Sequence, residues 1–136
     1  MSGRLKKAAA EPLSLKDAFE TEFARRQMER RAREEAERRQ QAQDLAGAEA
    51  LEAALGADAD FLQAHGLAAD RRRYNVWLDH ARFRISAYFE AGQVAVTLSD
   101  KRVAQSHAAP PRRQETAESV ADALRLIAQF LVDETR

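Results

Sequence analysis

The spacing of apolar side chains along this chain changes period, and the changes mark out its parts. Through residues 14–43 no Gly or Pro interrupts, and Leu15, Phe19 and Phe23 recur at every fourth residue. That interval stacks side chains on one face of an α-helix, so a helical arm is expected over 13–43. Ser14 followed by Asp17 supplies its start signal: the hydroxyl takes an orphan backbone N–H, and the carboxylate suits the positive end of the helix. Beyond Phe23 the same face meets Arg26, while Met28, Ala32 and Ala36 fall on another side. The continuous apolar seam of a dimeric coiled coil is therefore missing. In its place stand the i,i+4 pairs Glu22–Arg26, Glu29–Arg33, Glu34–Arg38 and Glu35–Arg39, each contributing roughly 0.2–0.5 kcal/mol to a solvated helix.

From residue 44 to 66 the chain is rich in Ala, Leu and acids. Leu45, Ala48, Leu51 and Leu55 share a face and predict a helix over 45–56, closed by Gly56. Asp58 or Asp60 can cap a second, short helix over 59–65 that stops at Gly66. The period then drops to two. Tyr74, Val76 and Leu78 alternate with Asn75, Trp77 and Asp79; Phe83, Ile85, Ala87 and Phe89 with Arg84, Ser86 and Tyr88; Val94, Val96 and Leu98 with Ala95 and Thr97. Strands are expected over 73–79, 82–90 and 93–99. A turn at Ala91-Gly92 with a two- or four-residue loop pairs Phe89 with Val94, Ala87 with Val96 and Ile85 with Leu98. A slip of one residue would turn every side chain to the other face.

The stretch from Lys101 to Gln114 holds Pro110-Pro111 and Arg112-Arg113 and is expected to be a long basic loop. Thr116 can cap a last helix over 116–134. On it Val120, Ala123, Leu124, Ile127 and Leu131 share a face, with Phe130 at the edge. The fold class that follows is α+β: a long charged N-terminal helix, short helices, and a three-stranded antiparallel sheet with a C-terminal helix packed on one face. Its parts are a flexible leader over 1–12, the arm over 13–43 and a small α+β domain over 44–136.

Composition narrows the chemistry. The chain has 136 residues and no cysteine, which excludes disulfides, thiolate metal sites and thiol nucleophiles and suits a reducing cytoplasm. No run of eighteen apolar residues occurs, so neither secretion nor membrane association is expected. Net charge is zero, but it is distributed in blocks: +3 over 1–43, −6 over 44–70, +6 over 71–113 and −3 over 114–136. Such alternation suits either internal pairing or a local basic footprint for an anionic partner.

Three surfaces could carry a function. With the apolar positions of the strands turned toward the last helix, the opposite side of the sheet presents Trp77 and Tyr88 with Arg73, Arg82 and Arg84. Aromatic rings can stack on bases and guanidinium groups can hold phosphates; the same side can equally be covered by a protein partner or by this chain's own helices. The second surface is the basic loop with Lys101, Arg102, Arg112 and Arg113, next to the positively polarised start of the last helix. The third is the head of the arm, where Leu15, Phe19 and Phe23 suit a helix lying in a groove.

Enzyme chemistry finds little support. His65, His80 and His107 lack metal-ligand spacing, and Asp79 and His80, adjacent on a strand, would face opposite ways. Phosphate-loop, dinucleotide, nucleophile-elbow and zinc-protease motifs are all missing. No catalytic residue, metal or cofactor is therefore expected. The leading expectation is a non-catalytic protein–protein interaction module, a regulator or adaptor, using the arm and the exposed sheet face toward a protein partner or a second copy. The alternative is a nucleic-acid-binding protein using the aromatic and arginine face and the basic loop.

Overall fold

A computed structural model describes residues 14–101 and 113–135. Its elements in chain order are α1 Leu15–Ala57, α2 Ala59–Ala64, β1 Ala68–Arg72, β2 Asn75–Asp79, β3 Phe83–Glu90, β4 Gln93–Asp100, β5 Arg113–Ala117 and α3 Val120–Thr135. The expected leader over 1–12 lies outside the described residues, as does the Pro110-Pro111 part of the expected loop. The chain divides into two compact units, residues 1–38 and 39–136.

The start of α1 follows its signal, with the Ser14 Oγ accepting the Asp17 N–H at 3.1 Å. In the first unit the charges pair along the helix. Glu22 accepts from Arg26 Nε at 3.0 Å and also from Arg25, which reaches on to Glu29. Glu29 thus takes Arg25 rather than the expected Arg33. Hydrogen bonds from Arg25 first, then Arg26, hold the Glu22 carboxyl down at about 2. These pairs are solvent-exposed and screened, so they guide side-chain placement more than they stabilise the fold.

A break in the helix near residue 44 is not found. α1 continues to Ala57, and the helix expected over 45–56 is its last part. The composition changes there, but no proline interrupts the helix, and both Gly47 and Gly56, the glycine expected to close it, lie within it. A Cβ on Gly47 would lie 2.9 Å from two ring carbons of Phe89; the missing side chain lets the strand's aromatic ring pack against the helix backbone. The buried stripe is Asp44, Ala48, Leu51 and Leu55, with Asp44 replacing the expected Leu45.

That buried carboxylate has a defined task. It accepts the backbone amides of Ala91 at 2.9 Å and Gly92 at 3.0 Å, and the Gln40 Nε2 at 3.1 Å. Ala91 and Gly92 form the two-residue loop between β3 and β4, with φ of 54° and 80°. Positive φ at both central positions is what a type I′ hairpin requires. An alanine there is strained, and Asp44 offsets that strain by accepting both amides of the turn. The register agrees with the apolar matching: Phe89 opposite Val94, Ala87 opposite Val96, Ile85 opposite Leu98.

The sheet has five antiparallel strands in the order β1-β2-β3-β4-β5, not the three expected. The additional strands are its two edges. β1 has the sequence AADRR and β5 the sequence RQETA, neither with apolar alternation. An edge strand packs on fewer neighbours and is protected from further pairing by charge, so its sequence is free to look like a loop. Arg73 and Tyr74, expected to open a strand, instead form the turn between β1 and β2, with Arg73 at φ 54°.

The last helix begins at Val120 rather than 116, because residues 113–117 are a strand and Ser119 is the cap: its Oγ accepts the Asp122 N–H at 3.0 Å. Its buried face is Ala123, Leu126, Ile127 and Phe130, with Val120, Leu124 and Leu131 only partly buried. Phe130, expected at the margin, is fully buried at the centre. The core lies between the helices and one side of the sheet, with Phe130, Leu51, Leu78, Ile85, Val76 and Val96 its largest fully enclosed side chains.

Candidate functional site

Strand alternation turns Val76, Leu78, Ile85, Ala87, Val94, Val96 and Leu98 into the core and leaves the intervening side chains on the open side. The register aligns those side chains in rows across the strands. Asp70, Trp77, Ser86, Thr97 and Gln114 form one row; Arg72, Asn75, Tyr88, Ala95 and Thr116 form the next; Asp79, Arg84 and Ser99 form a third. Trp77 is half-buried in the middle of its row, and Tyr88 is 42% exposed.

The charges on this face are paired with one another. Arg84 donates through Nε and Nη2 to the two oxygens of Asp79 at 3.0 and 2.9 Å, and its guanidinium carbon lies 5.3 Å from the centre of the Trp77 ring. Lys101 Nζ reaches Asp79 Oδ1 at 2.8 Å and donates to the His80 carbonyl at 3.1 Å. The Arg84 hydrogen bonds, opposed by partial desolvation and reinforced by Lys101, hold the Asp79 carboxyl below its ordinary value. Trp77, Arg84 and Asp79 thus form a fixed cluster of ring, cation and anion. One row over, Asn75 Oδ1 is buried without a hydrogen-bond partner among the described residues.

The other residues singled out by the sequence are dispersed. Arg73 sits in the β1–β2 turn, 5.8 Å from the Tyr74 ring centre. Arg82 is exposed in the loop before β3, where its amide donates to His80 Nδ1 at 3.1 Å. Arg113 is not on a basic loop but on β5, lying 4.4 Å over the Phe130 ring and paired with Glu115 at 2.9 Å and with Asp133. It faces the helix-covered side. Arg102 and Arg112 lie outside the described residues. In the first unit Leu15, Phe19 and Phe23 are 87%, 64% and 54% exposed, with the two phenylalanine rings stacked at 5.9 Å.

Two further arrangements are set by tertiary contacts. Arg71, on β1, pairs with Glu52 at 2.7 Å and approaches Glu49 at 4.0 Å, so part of the acidic block over 44–70 meets the basic block on the covered side of the sheet. An apolar groove of about 320 Å³ also opens between α2, the end of α1 and α3. Phe61, on the six-residue α2, stands half-exposed in its wall. Among the described residues no cluster of three or more metal-ligating side chains occurs, and no helix is long and apolar enough to cross a membrane. No protein-family model, curated protein or solved structure matches this chain.

Proposed function

We propose that this chain is a non-catalytic protein–protein interaction module, a regulator or adaptor of the cytoplasm, whose open sheet face is its main docking surface. One observation carries the reading: Trp77, Arg84 and Tyr88 lie together on that face. Trp, Tyr and Arg dominate the binding energy of protein interfaces, because each buries a large surface while keeping a polar handle. The surrounding Ser86, Thr97, Gln114 and Thr116 supply the neutral hydrogen-bonding groups of an interface rim. The exposed Leu15, Phe19 and Phe23 give the arm a second, apolar contact, toward a partner or a second copy.

Nucleic-acid binding is the second reading, favoured by Arg72, Arg73 and Arg82, which are exposed with no carboxylate partner among the described residues. It ranks lower because affinity for a polyanion comes from cations free to replace counterions. Arg84, Lys101 and Arg113 instead lie against Asp79, Glu115 and Asp133.

The chain's single tryptophan makes the test direct. Burial of the sheet face by a protein must shift Trp77 emission to the blue and shield it from acrylamide, at concentrations where light scattering shows the complex or oligomer. Trp77→Phe with Tyr88→Ala should weaken that association, and Phe19→Ala with Phe23→Ala should weaken it separately. Unchanged mass and unchanged Trp77 accessibility in the presence of a captured partner would count against the reading. Binding of single-stranded RNA or DNA at low salt, lost steeply as salt rises, would favour the second.

A further inference from the structure

The groove between α2, the end of α1 and α3 lies on the helix side of the sheet, away from the Trp77 face. Its walls are apolar, with Phe61, Leu67, Phe83, Leu124, Leu131 and Val132 prominent among them. At about 320 Å³ it falls within the size range of small-molecule sites, roughly 300–1,000 Å³. Phe61 and Val132 are 50% and 58% exposed there, so the walls remain open to a ligand.

Among the described residues lining the groove, Asp58 supplies the one carboxylate. Three polar side chains line it, those of Asp58, His65 and Thr135. Asp58 precedes α2 yet makes no capping hydrogen bond, so its carboxylate is an acceptor not used by the helix. His65 Nδ1 lies 3.0 Å from the Phe61 carbonyl, which ties the ring back to its own helix. The Thr135 hydroxyl donates to the Leu131 carbonyl at 2.8 Å. Among the described residues no lysine or arginine lines the groove, and the carboxyl end of α3, the negative pole of a sixteen-residue helix, forms one side.

We infer that this groove is a binding site for a small amphiphilic amine, with an aliphatic or aryl tail in the apolar trough and an ammonium head paired with the Asp58 carboxylate at its rim. A carboxylate at the rim, with no lysine or arginine among the described lining residues, disfavours anionic heads and favours a cation whose N–H groups make charge-assisted hydrogen bonds. The apolar trough sets the preference for tail length.

The test is calorimetric titration of the full chain with octylammonium, octanol and octanoate. Octylammonium should bind saturably at one site, octanol about ten-fold more weakly for want of a charge-assisted hydrogen bond, and octanoate not at all. Each methylene removed from the tail should weaken binding about four-fold. Ala128→Trp, at an exposed position that lines the groove, should abolish binding while the circular dichroism spectrum stays unchanged. Asp58→Asn should erase the preference of ammonium over alcohol without abolishing tail binding. Trp77 emission, reporting the opposite face, should not respond, which keeps this outcome separate from the sheet-face assay. Failure of octylammonium to saturate, equal binding of octanoate, or full binding by the Ala128→Trp chain would overturn the assignment. So would a doubled mass that Ala128→Trp returns to the monomer, which would give the groove to a second copy instead.

Discussion

The two faces of the sheet come from the same five strands and differ at almost every position. On the covered face, rows of Val, Ile, Leu and Phe are closed by helices, and the arginines at its edges, Arg71 and Arg113, act as ties to those helices through Glu52 and Asp133. On the open face the rows hold Trp77, Tyr88, Ser86 and Thr97, and the arginine near their centre, Arg84, pairs within the sheet itself. An arginine on the covered face contributes to holding layers together. One on the open face lies against a neighbouring ring and carboxylate of the sheet itself. The surface type thus says more about the role of each arginine than the local run of basic residues does.

That contrast predicts a ranking of effects. The largest belongs to the covered face: Phe130→Ala should cost about 3–5 kcal/mol, because the residue is fully buried and the cavity would also undercut Arg113. Urea denaturation reads it directly, and a loss below about 1 kcal/mol would show that the core is not closed there. Asp44→Ala should follow at about 1–3 kcal/mol, because the amides of Ala91 and Gly92 lose their acceptor but sit in an exposed turn where water can replace it. Faster hydrogen exchange of those two amides is the specific sign, and Asn at position 44 should retain part of the protection.

Gly47→Ala tests the contact between α1 and Phe89. Helix propensity alone would make alanine more stable by about 1 kcal/mol, whereas a Cβ 2.9 Å from the ring predicts a net loss of about 1–3 kcal/mol from overpacking. The sign of the change decides between them. Smallest of all should be Arg84→Met on the open face, within about 1 kcal/mol at neutral pH, as for other exposed ion pairs. Its signature is in acid. Because the folded Asp79 carboxyl titrates below its ordinary value, its contribution is present above the unfolded value near about 3.9 and is lost as pH falls through the lower, folded one. The variant should lose less stability than the parent across that acid window. An equal loss in both would remove Arg84 as the cause.

How much of this was legible in advance follows the same division. The β3–β4 hairpin could be paired residue by residue, because Phe89, Ala87 and Ile85 have apolar partners in only one phase. Ser14 announced the start of α1. The edge strands could not be seen: Arg113 to Ala117 alternate charge with polarity, and Ala68 to Arg72 contain no large apolar residue. Thr116 was a plausible cap by residue type, but Ser119 does the capping once β5 has taken residues 113–117. For the open face, alternation put Trp77, Tyr88 and Arg84 on one side, where the strand register has them too, whereas Arg73 and Arg82, expected beside them, lie in the connections between strands. The tie of Trp77 and Arg84 to Asp79 and Lys101 required knowing that the ends of β2 and β4 lie beside the start of β3.

By itself the sequence determined the local periods: where a helical or a strand period prevails, which three strands form the centre of the sheet, and which way their side chains point. Those properties depend on neighbours one to four residues away, so they are written into the order of the residues. Only the tertiary structure decided that α1 runs unbroken to Ala57, that Asp44 holds a turn 47 residues away, that Arg113 covers Phe130, and that an apolar groove opens behind Phe61. Each of these depends on partners brought together by folding, and a buried carboxylate, a paired arginine or an edge strand is defined by its partner rather than by its own sequence.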